Sequence, residues 1–295
     1  MVADLHLHTC FSDGTYTPEE LADAAHRCGL KAIALTDHDT LEGCPRTAAA
    51  CAAHGIEFIP ATELTAEQED VELHILGYYL DAAHPELQVE LAKFQEVRQR
   101  RIHDMVGRLN HLGIRLRVET VFELANCRSP GRPHVARALV QARMCGSIDE
   151  AFERFLKKGK PAWVPKYKMS ALKAINLVHA AGGLAVLAHP GLSRAEEAIP
   201  QLIEAGLDGL ECFHTKHSTS MVEYCLQIAE SHQLLVTGGS DCHGMSKGKP
   251  LIGTVRIPYE YVERLRERHL RRAVENGFLI AGASSVANPD FQPPT

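Results

Sequence analysis

No stretch of this chain stays apolar for the ~20 residues that a membrane-spanning helix needs. No leader with a charged head and an apolar body stands ahead of the first strand-like run, so the chain is expected in the cytoplasm. Its nine cysteines include no Cys-x-x-Cys pair. That argues against a zinc ribbon or a disulfide framework and suits reduced thiols. A surplus of positive charge is missing too: 31 Lys and Arg face 37 Asp and Glu, a formal net charge of −6. A long nucleic-acid groove is therefore not expected as the main surface. A small anionic substrate, held through metal ions and a few arginines, remains compatible with that balance. There is no internal repeat and no low-complexity tract. The lysine-bearing run from Gly244 to Pro250 lacks the spacing of a P-loop and is expected to be a solvated loop.

What the chain has in excess is histidine, 17 in 295 residues, on a 45% apolar background that suffices for one large domain or a barrel with an insertion. Residues 2–7 form an apolar run that predicts a buried strand, followed by a Ser/Asp/Gly turn. His6 and His8 are two apart, so on a strand they share a face, and Asp13 returns from the turn toward them. Thr17-Pro18-Glu19-Glu20 predicts a helix start, and Gly29 its end. Strands are predicted over 30–35, 56–61 and 71–76, with a helix over 43–54. Three βα units in a row predict a parallel sheet or barrel with its site at the strand C-termini.

From about 81 to 169 the pattern turns helical and more basic, with helices over 86–112, 118–125, from Arg132, and over 147–156. We expect an inserted helical subdomain here, capping the active site, with Arg98, Arg100 and Arg101 on a solvated face. The βα rhythm resumes at 170, with strands over 184–188, 209–213, 234–237 and 251–257. An amphipathic helix over 259–276 is expected to pack outside the barrel. The domain organisation expected is a discontinuous barrel, 1–80 and 170–288, an insertion, 81–169, and a loose tail, 289–295.

Strand after strand is predicted to end in a residue able to bind metal: His6 and His8, His38, Glu63, His74, His189, His214, then Asp241 and His243. In a βα barrel those ends share one rim. The His-x-His start, Asp13, Thr36-Asp37-His38-Asp39, Glu63, His74, Ala188-His189-Pro190 and Gly239-Ser240-Asp241-Cys242-His243 together resemble the PHP (polymerase and histidinol phosphatase) superfamily. Within it, the insertion and its Gly131–Val140 run look like the 3′,5′-nucleoside bisphosphate phosphatase / RNase AM branch. The resemblance implies an α/β fold, a distorted (β/α)7 PHP barrel with a helical insertion, carrying two or three divalent metals. Carried onto this chain, it implies one metal on His6, His8, Glu63 and Asp241. A second would share Glu63 and take His74 and His189, and a third would take Asp13, His38 and His243. The mixed N/O donors fit manganese, with iron or zinc as alternatives.

The implied activity is metal-dependent hydrolysis of the 3′-phosphate of a 3′,5′-bisphosphonucleotide, with 5′-to-3′ trimming of short RNA beside it. Glu63 and Asp241 serve catalysis by holding metal, and His214 is expected as a phosphate contact or general acid. The substrate's other phosphate needs its own cations, and Arg132, His134 and Arg137 at a helix start are the candidates. Asp37 and Asp39 are expected to orient His38, and Cys242 to be a buried small hydrophobe. Two alternatives stay open: a histidinol-phosphate phosphatase, which shares the metal motifs, and a non-catalytic metal-binding module. No obligate protein partner is evident.

Overall fold

The computed structural model describes residues 1–192 and 194–275; the tail over 289–295 and the barrel stretch expected beyond 275 lie outside the described residues. The strands are β1 (Val2–Leu7), β2 (Ala32–Leu35), β3 (Glu57–Gln68), β4 (Val71–Tyr78), β5 (Met169–Ser170), β6 (Leu184–Leu187), β7 (Gly209–His214), β8 (Leu235–Gly239) and β9 (Ile257–Pro258). They pair in the order β8-β7-β6-β4-β3-β2-β1-β9, with β5 beside β3. The first seven of that order wrap into a nearly closed barrel. Its seam is carried by His8 N–H donating to the Cys242 carbonyl at 3.0 Å and Asp241 N–H donating to the His6 carbonyl at 2.9 Å. Gly239 makes the seam possible, since a Cβ there would lie 2.3 Å from His6 Cβ.

The expected run of parallel βα units breaks at β4, which is antiparallel to both β3 and β6. The cause is local. Glu69 and Asp70, between Gln68 and its partner Val71, take φ of 48° and 65°, the left-handed pair that a two-residue hairpin turn uses. Glu63 and His74 therefore sit inside strands rather than at strand ends. The strand expected over 251–257 shrinks to β9, which pairs antiparallel with β1.

The helices are α1 (Pro18–Arg27), α2 (Cys44–Ala53), α3 (Pro85–His111), α4 (Val118–Ala125), α5 (Arg132–Gln141), α6 (Ile148–Ala151), α7 (Ala171–Ala180), α8 (Ile199–Glu204), α9 (Thr219–Ser231) and α10 (Glu260–Glu275). In α1, Thr17 Oγ1 accepts from the Glu20 N–H and Glu20 returns a carboxylate to the Thr17 N–H, so two free donors are satisfied at once. The helix expected over 147–156 is split, α6 being followed by a π-helical turn at Phe152–Leu156.

The barrel interior is filled by small and branched residues, among them Ala3, Leu5, Ala34, Ile59, Ala61, Leu76 and Val186. Val262 and Leu265 of α10 join this interior cluster, each contributing about 1.5–3 kcal/mol on burial. So α10 packs against residues of the interior cluster, and Arg272 ties it to the Gly183 carbonyl and to Asp208. Helices α3–α6 share a second core, including Ile102, Met105, Val121, Val135, Leu139 and Leu156. The N-terminal turns of α3 pack elsewhere: Leu87, Leu91 and Phe94 belong to the barrel's outer core. Among the described residues, no helix is long and apolar enough to cross a membrane.

Candidate active site

Beyond the apolar interior the inward-facing positions turn polar. Ile59 and Ala61 are followed on β3 by Glu63, two residues on and on the same face. His74 on β4 pairs with Thr65, so it is the diagonal neighbour of Glu63. Glu63 is the hub. Its Oε2 lies 3.3 Å from His6 Nε2, 3.3 Å from His8 Nε2 and 3.0 Å from His38 Nδ1. Its Oε1 lies 2.5 Å from His74 Nδ1 and 2.9 Å from His189 Nε2. Five imidazoles thus meet one buried carboxylate. Asp241 Oδ1 closes one side, 3.2 Å from His8 Nε2 and 3.6 Å from His6 Nε2. Asp13 Oδ1 closes another, 3.1 Å from His243 Nε2 and 3.9 Å from His38 Nε2.

Hydrogen-bond partners assign the ring nitrogens. His6 Nδ1 donates to Glu211 Oε1 at 2.9 Å, and His243 Nδ1 donates to the Asp241 carbonyl at 3.0 Å. Both rings therefore turn Nε2 inward, the nitrogen left for a metal ion that displaces its proton, the arrangement that outer carboxylates and carbonyls impose on metal-binding histidines. His214 is the opposite case. Its Nδ1 accepts the Lys216 N–H at 3.2 Å, so its proton sits on Nε2, 3.5 Å from Asp241 Oδ2.

Burial would raise the Glu63 pKa, but His74, His38 and His6 hold it well below the usual range; Asp13 and Asp241 are likewise held down against burial, led by His243. The carboxylates thus stay ionised. Burial lowers His74 to about 4, with Lys166 adding to the effect and Glu63 opposing it. Burial opposes the charge on His243 as well, but Asp13 and Asp241 raise it to about 10.

Several of these atoms have no hydrogen-bond partner among the described residues although buried: His6 Nε2, both nitrogens of His8, Asp13 Oδ1, His38 Nδ1, Glu63 Oε2 and His214 Nε2. Buried polar atoms left unpaired are costly. Here they converge from different elements as a thiolate-free set of nitrogens and carboxylate oxygens, which fits divalent metal ions. Four overlapping donor groups arise: His8-Asp13-His38-His243, His6-His8-Asp241, His6-Glu63-His189 and His38-Glu63-His74. All nine residues expected to bind metal come together. The grouping differs from the implied one in that His8 also joins Asp13, and His38 faces both Asp13 and Glu63. Cys242 is fully buried in the barrel's outer core.

Other expected roles change. Asp37 does not orient His38; it accepts from the Thr9 N–H at 2.8 Å, from the Thr9 hydroxyl and from Ser12 Oγ, and so fixes the loop before Asp13. Asp39 pairs with Arg98, whose Nε and Nη2 reach Oδ2 at 2.8 and 2.5 Å. Arg98 and Arg101 are therefore not on a solvated face: Arg101 is 5% exposed and donates to the Val164 carbonyl at 2.8 Å. Arg100 alone of the three is exposed, paired with Glu96.

Of the residues expected to bind the second phosphate, Arg137 Nη2 donates to the Asp13 carbonyl at 3.0 Å and Arg132 Nη1 to the Leu156 carbonyl at 3.4 Å. His134 Nδ1 accepts the Gly131 N–H at 3.0 Å, which leaves its ring proton on Nε2. Burial, with Arg137 beside it, lowers His134 to about 4. Arg101, Arg132 and Arg137 have no carboxylate partner among the described residues.

Two site residues escaped the sequence reading. Lys166 Nζ lies 3.3 Å from His74 Nε2 and 3.0 Å from Glu72 Oε1. Glu211, fully buried on β7, holds His6 through Oε1 and accepts the His189 N–H through Oε2 at 2.7 Å. The signal was available: a glutamate inside the apolar run Gly209–His214 needs buried partners. Replacing Glu211 by Gln is expected to weaken metal binding about 10- to 100-fold, the usual cost of losing an outer carboxylate. Metal titration of the purified variant checks this, and unchanged affinity contradicts it.

A fold of this kind with a histidine and carboxylate cluster at one end of the barrel defines a PHP-domain protein. The PHP domain model matches residues 4–207, and the chain belongs to that family. It is 33% identical to the 5′-3′ exoribonuclease Rnm of Salmonella typhimurium, over 82% of this chain and 85% of the relative. It is also 33% identical to the 3′,5′-nucleoside bisphosphate phosphatase of Chromobacterium violaceum, over 85% and 90%. Among solved structures, a candidate metal-dependent phosphoesterase from Bifidobacterium adolescentis superposes with a TM-score of 0.84 at 34% identity, covering 90% of this chain and 96% of the other.

Proposed function

We propose that this protein is a metal-dependent phosphoesterase that removes the 3′-phosphate of 3′,5′-bisphosphonucleotides, such as adenosine 3′,5′-bisphosphate, leaving 5′-mononucleotides, and that it trims short RNA from the 5′ end. One observation carries the reading. A buried donor cluster centred on Glu63 lies beside a segment with three arginines that lack carboxylate partners among the described residues. The first suits a phosphate under attack, the second a phosphate that is only recognised. The names and coverage of the relatives support the substrate class.

Two or three divalent cations, manganese foremost, are assigned to His6, His8, Asp13, His38, Glu63, His74, His189, Asp241 and His243. Such ions lower the pKa of water and neutralise charge on the phosphoryl group. Glu63 and Asp241 set the spacing of the cluster. His214 presents Nε2–H beside Asp241 and donates either to a phosphoryl oxygen or to the departing 3′-oxygen. Arg132 and Arg137 supply planar donor pairs for the 5′-phosphate, and His134 adds Nε2–H. The segment over 81–169 is assigned as an insertion that caps the site. Nine free thiols support a cytoplasmic setting.

Direct attack of water on phosphorus is expected, with no phosphoenzyme. In 18O-labelled water the label should enter the released phosphate. Label in the 3′-hydroxyl of the nucleotide instead would mean C–O cleavage and overturn the proposed chemistry. Histidinol phosphate, assayed beside the bisphosphonucleotide, is expected to turn over far more slowly.

A further inference from the structure

We propose that the helical segment does more than read the substrate: Arg98, Ser129 and Arg137 are positioning residues for the metal position formed by Asp13, His38 and His243. The inference rests on the metal assignment above. Its basis is where each ligand-bearing loop is anchored. Ser129 Oγ donates to the His38 carbonyl at 2.7 Å. Arg98 clamps Asp39, the next residue along, which stands at φ 51° in the left-handed region. Arg137 donates to the Asp13 carbonyl at 3.0 Å, and Cys127 Sγ to the Ser12 carbonyl at 3.2 Å. Two of the three ligand-bearing loops of this metal position, those of Asp13 and His38, are thus pinned from α3, α5 and the turn between α4 and α5.

The other ligands are anchored by the barrel itself. His6 and Glu63 lie on laddered strands, Glu211 fixes His6 and the His189 backbone, and the seam hydrogen bonds fix His8 and Asp241. A left-handed non-glycine turn persists only where its surroundings hold it. Asp39 is held by Arg98 on one side and by β3 on the other, where its N–H donates to the Glu63 carbonyl at 3.1 Å and its carboxylate accepts the Thr65 N–H at 2.9 Å. Loss of Arg98 leaves the Asp39 carboxylate held from β3 alone and loosens the placement of His38. The donor groups His6-His8-Asp241 and His6-Glu63-His189 contain no residue pinned this way.

The test is a titration of the metal-free full chain with Mn2+, followed by calorimetry and by metal analysis after dialysis. In Arg98→Met one ion per chain is expected to lose about 10- to 100-fold in affinity, the scale for outer-shell partners, while an ion held without His38 is unchanged. Arg98→Lys, which keeps a cation beside Asp39, should recover much of the loss. Should Arg98→Met fail to fold, the Ser129→Ala/Arg137→Met double variant carries the same test without stranding a buried carboxylate. Wild-type affinities in these variants, or an equal loss for every ion, overturn the inference while leaving the metal assignment intact. A wild-type chain that takes up no metal overturns both.

Discussion

Replacing Glu63 by Gln is expected to abolish turnover while the fold stays in place. Glu63 is 1% exposed and touches His6, His8 and His38 through one oxygen, His74 and His189 through the other. Its two oxygens therefore face two neighbouring donor groups at once. An amide is nearly the same size but neutral, and its NH2 group turns a donor toward the place where a cation must sit. The lost charge stabilisation is on the order of 4 kcal/mol, about a thousandfold in rate. The backbone of β3 stays laddered to β2 and β4, so circular dichroism should match the wild type. Metal analysis should find fewer ions per chain. A variant with wild-type metal content and rate would remove Glu63 from the centre of the site.

The next largest effect is expected at Arg132 and Arg137. A bisphosphonucleotide carries two phosphates, and the metal cluster engages only the one being cleaved. Arg132 and Arg137 have carbonyl contacts but no carboxylate partner among the described residues, and burial lowers the pKa of both. Partly desolvated cations without a directly paired carboxylate are ready to pair with an anion. At saturating Mn2+, where the metal position that Arg137 also supports stays filled, Arg132→Ala or Arg137→Ala should weaken action on the bisphosphonucleotide by about 2–4 kcal/mol of transition-state binding, the scale of a truncated buried charge pair. A substrate with only a 3′-phosphate should be poor at the outset and lose much less. The competing account, that these arginines merely tie the helices to the barrel, requires equal losses on both substrates, and kcat/KM for the pair separates the two.

Much of this molecule was legible because its signals are local. The capping residues of α1, the apolar run of β1 and the proline starting α5 each state their structure within a few residues. The metal-binding candidates stood out because imidazoles and carboxylates inside apolar strands need partners. What escaped depends on contacts distant in sequence. Arg98 and Arg101 looked solvated because their partners, Asp39 and the Val164 carbonyl, are 59 and 63 residues away. Glu211 meets His6 across 205 residues. The β3–β4 hairpin escaped for another reason: Glu69-Asp70 lacks the glycine that usually marks a two-residue turn. The reversal put Glu63 and His74 in mid-strand without altering which face they share.

We expect hydrolysis of the 3′-phosphate to require divalent cations held by Glu63 and the histidines around it. The most direct test is 31P NMR of adenosine 3′,5′-bisphosphate incubated with the chelator-treated chain before and after Mn2+ is added. The expected result is no reaction before addition, and afterwards inorganic phosphate together with the 5′-mononucleotide. Accumulation of the 3′-mononucleotide, or equal phosphate release with and without metal, would contradict the account.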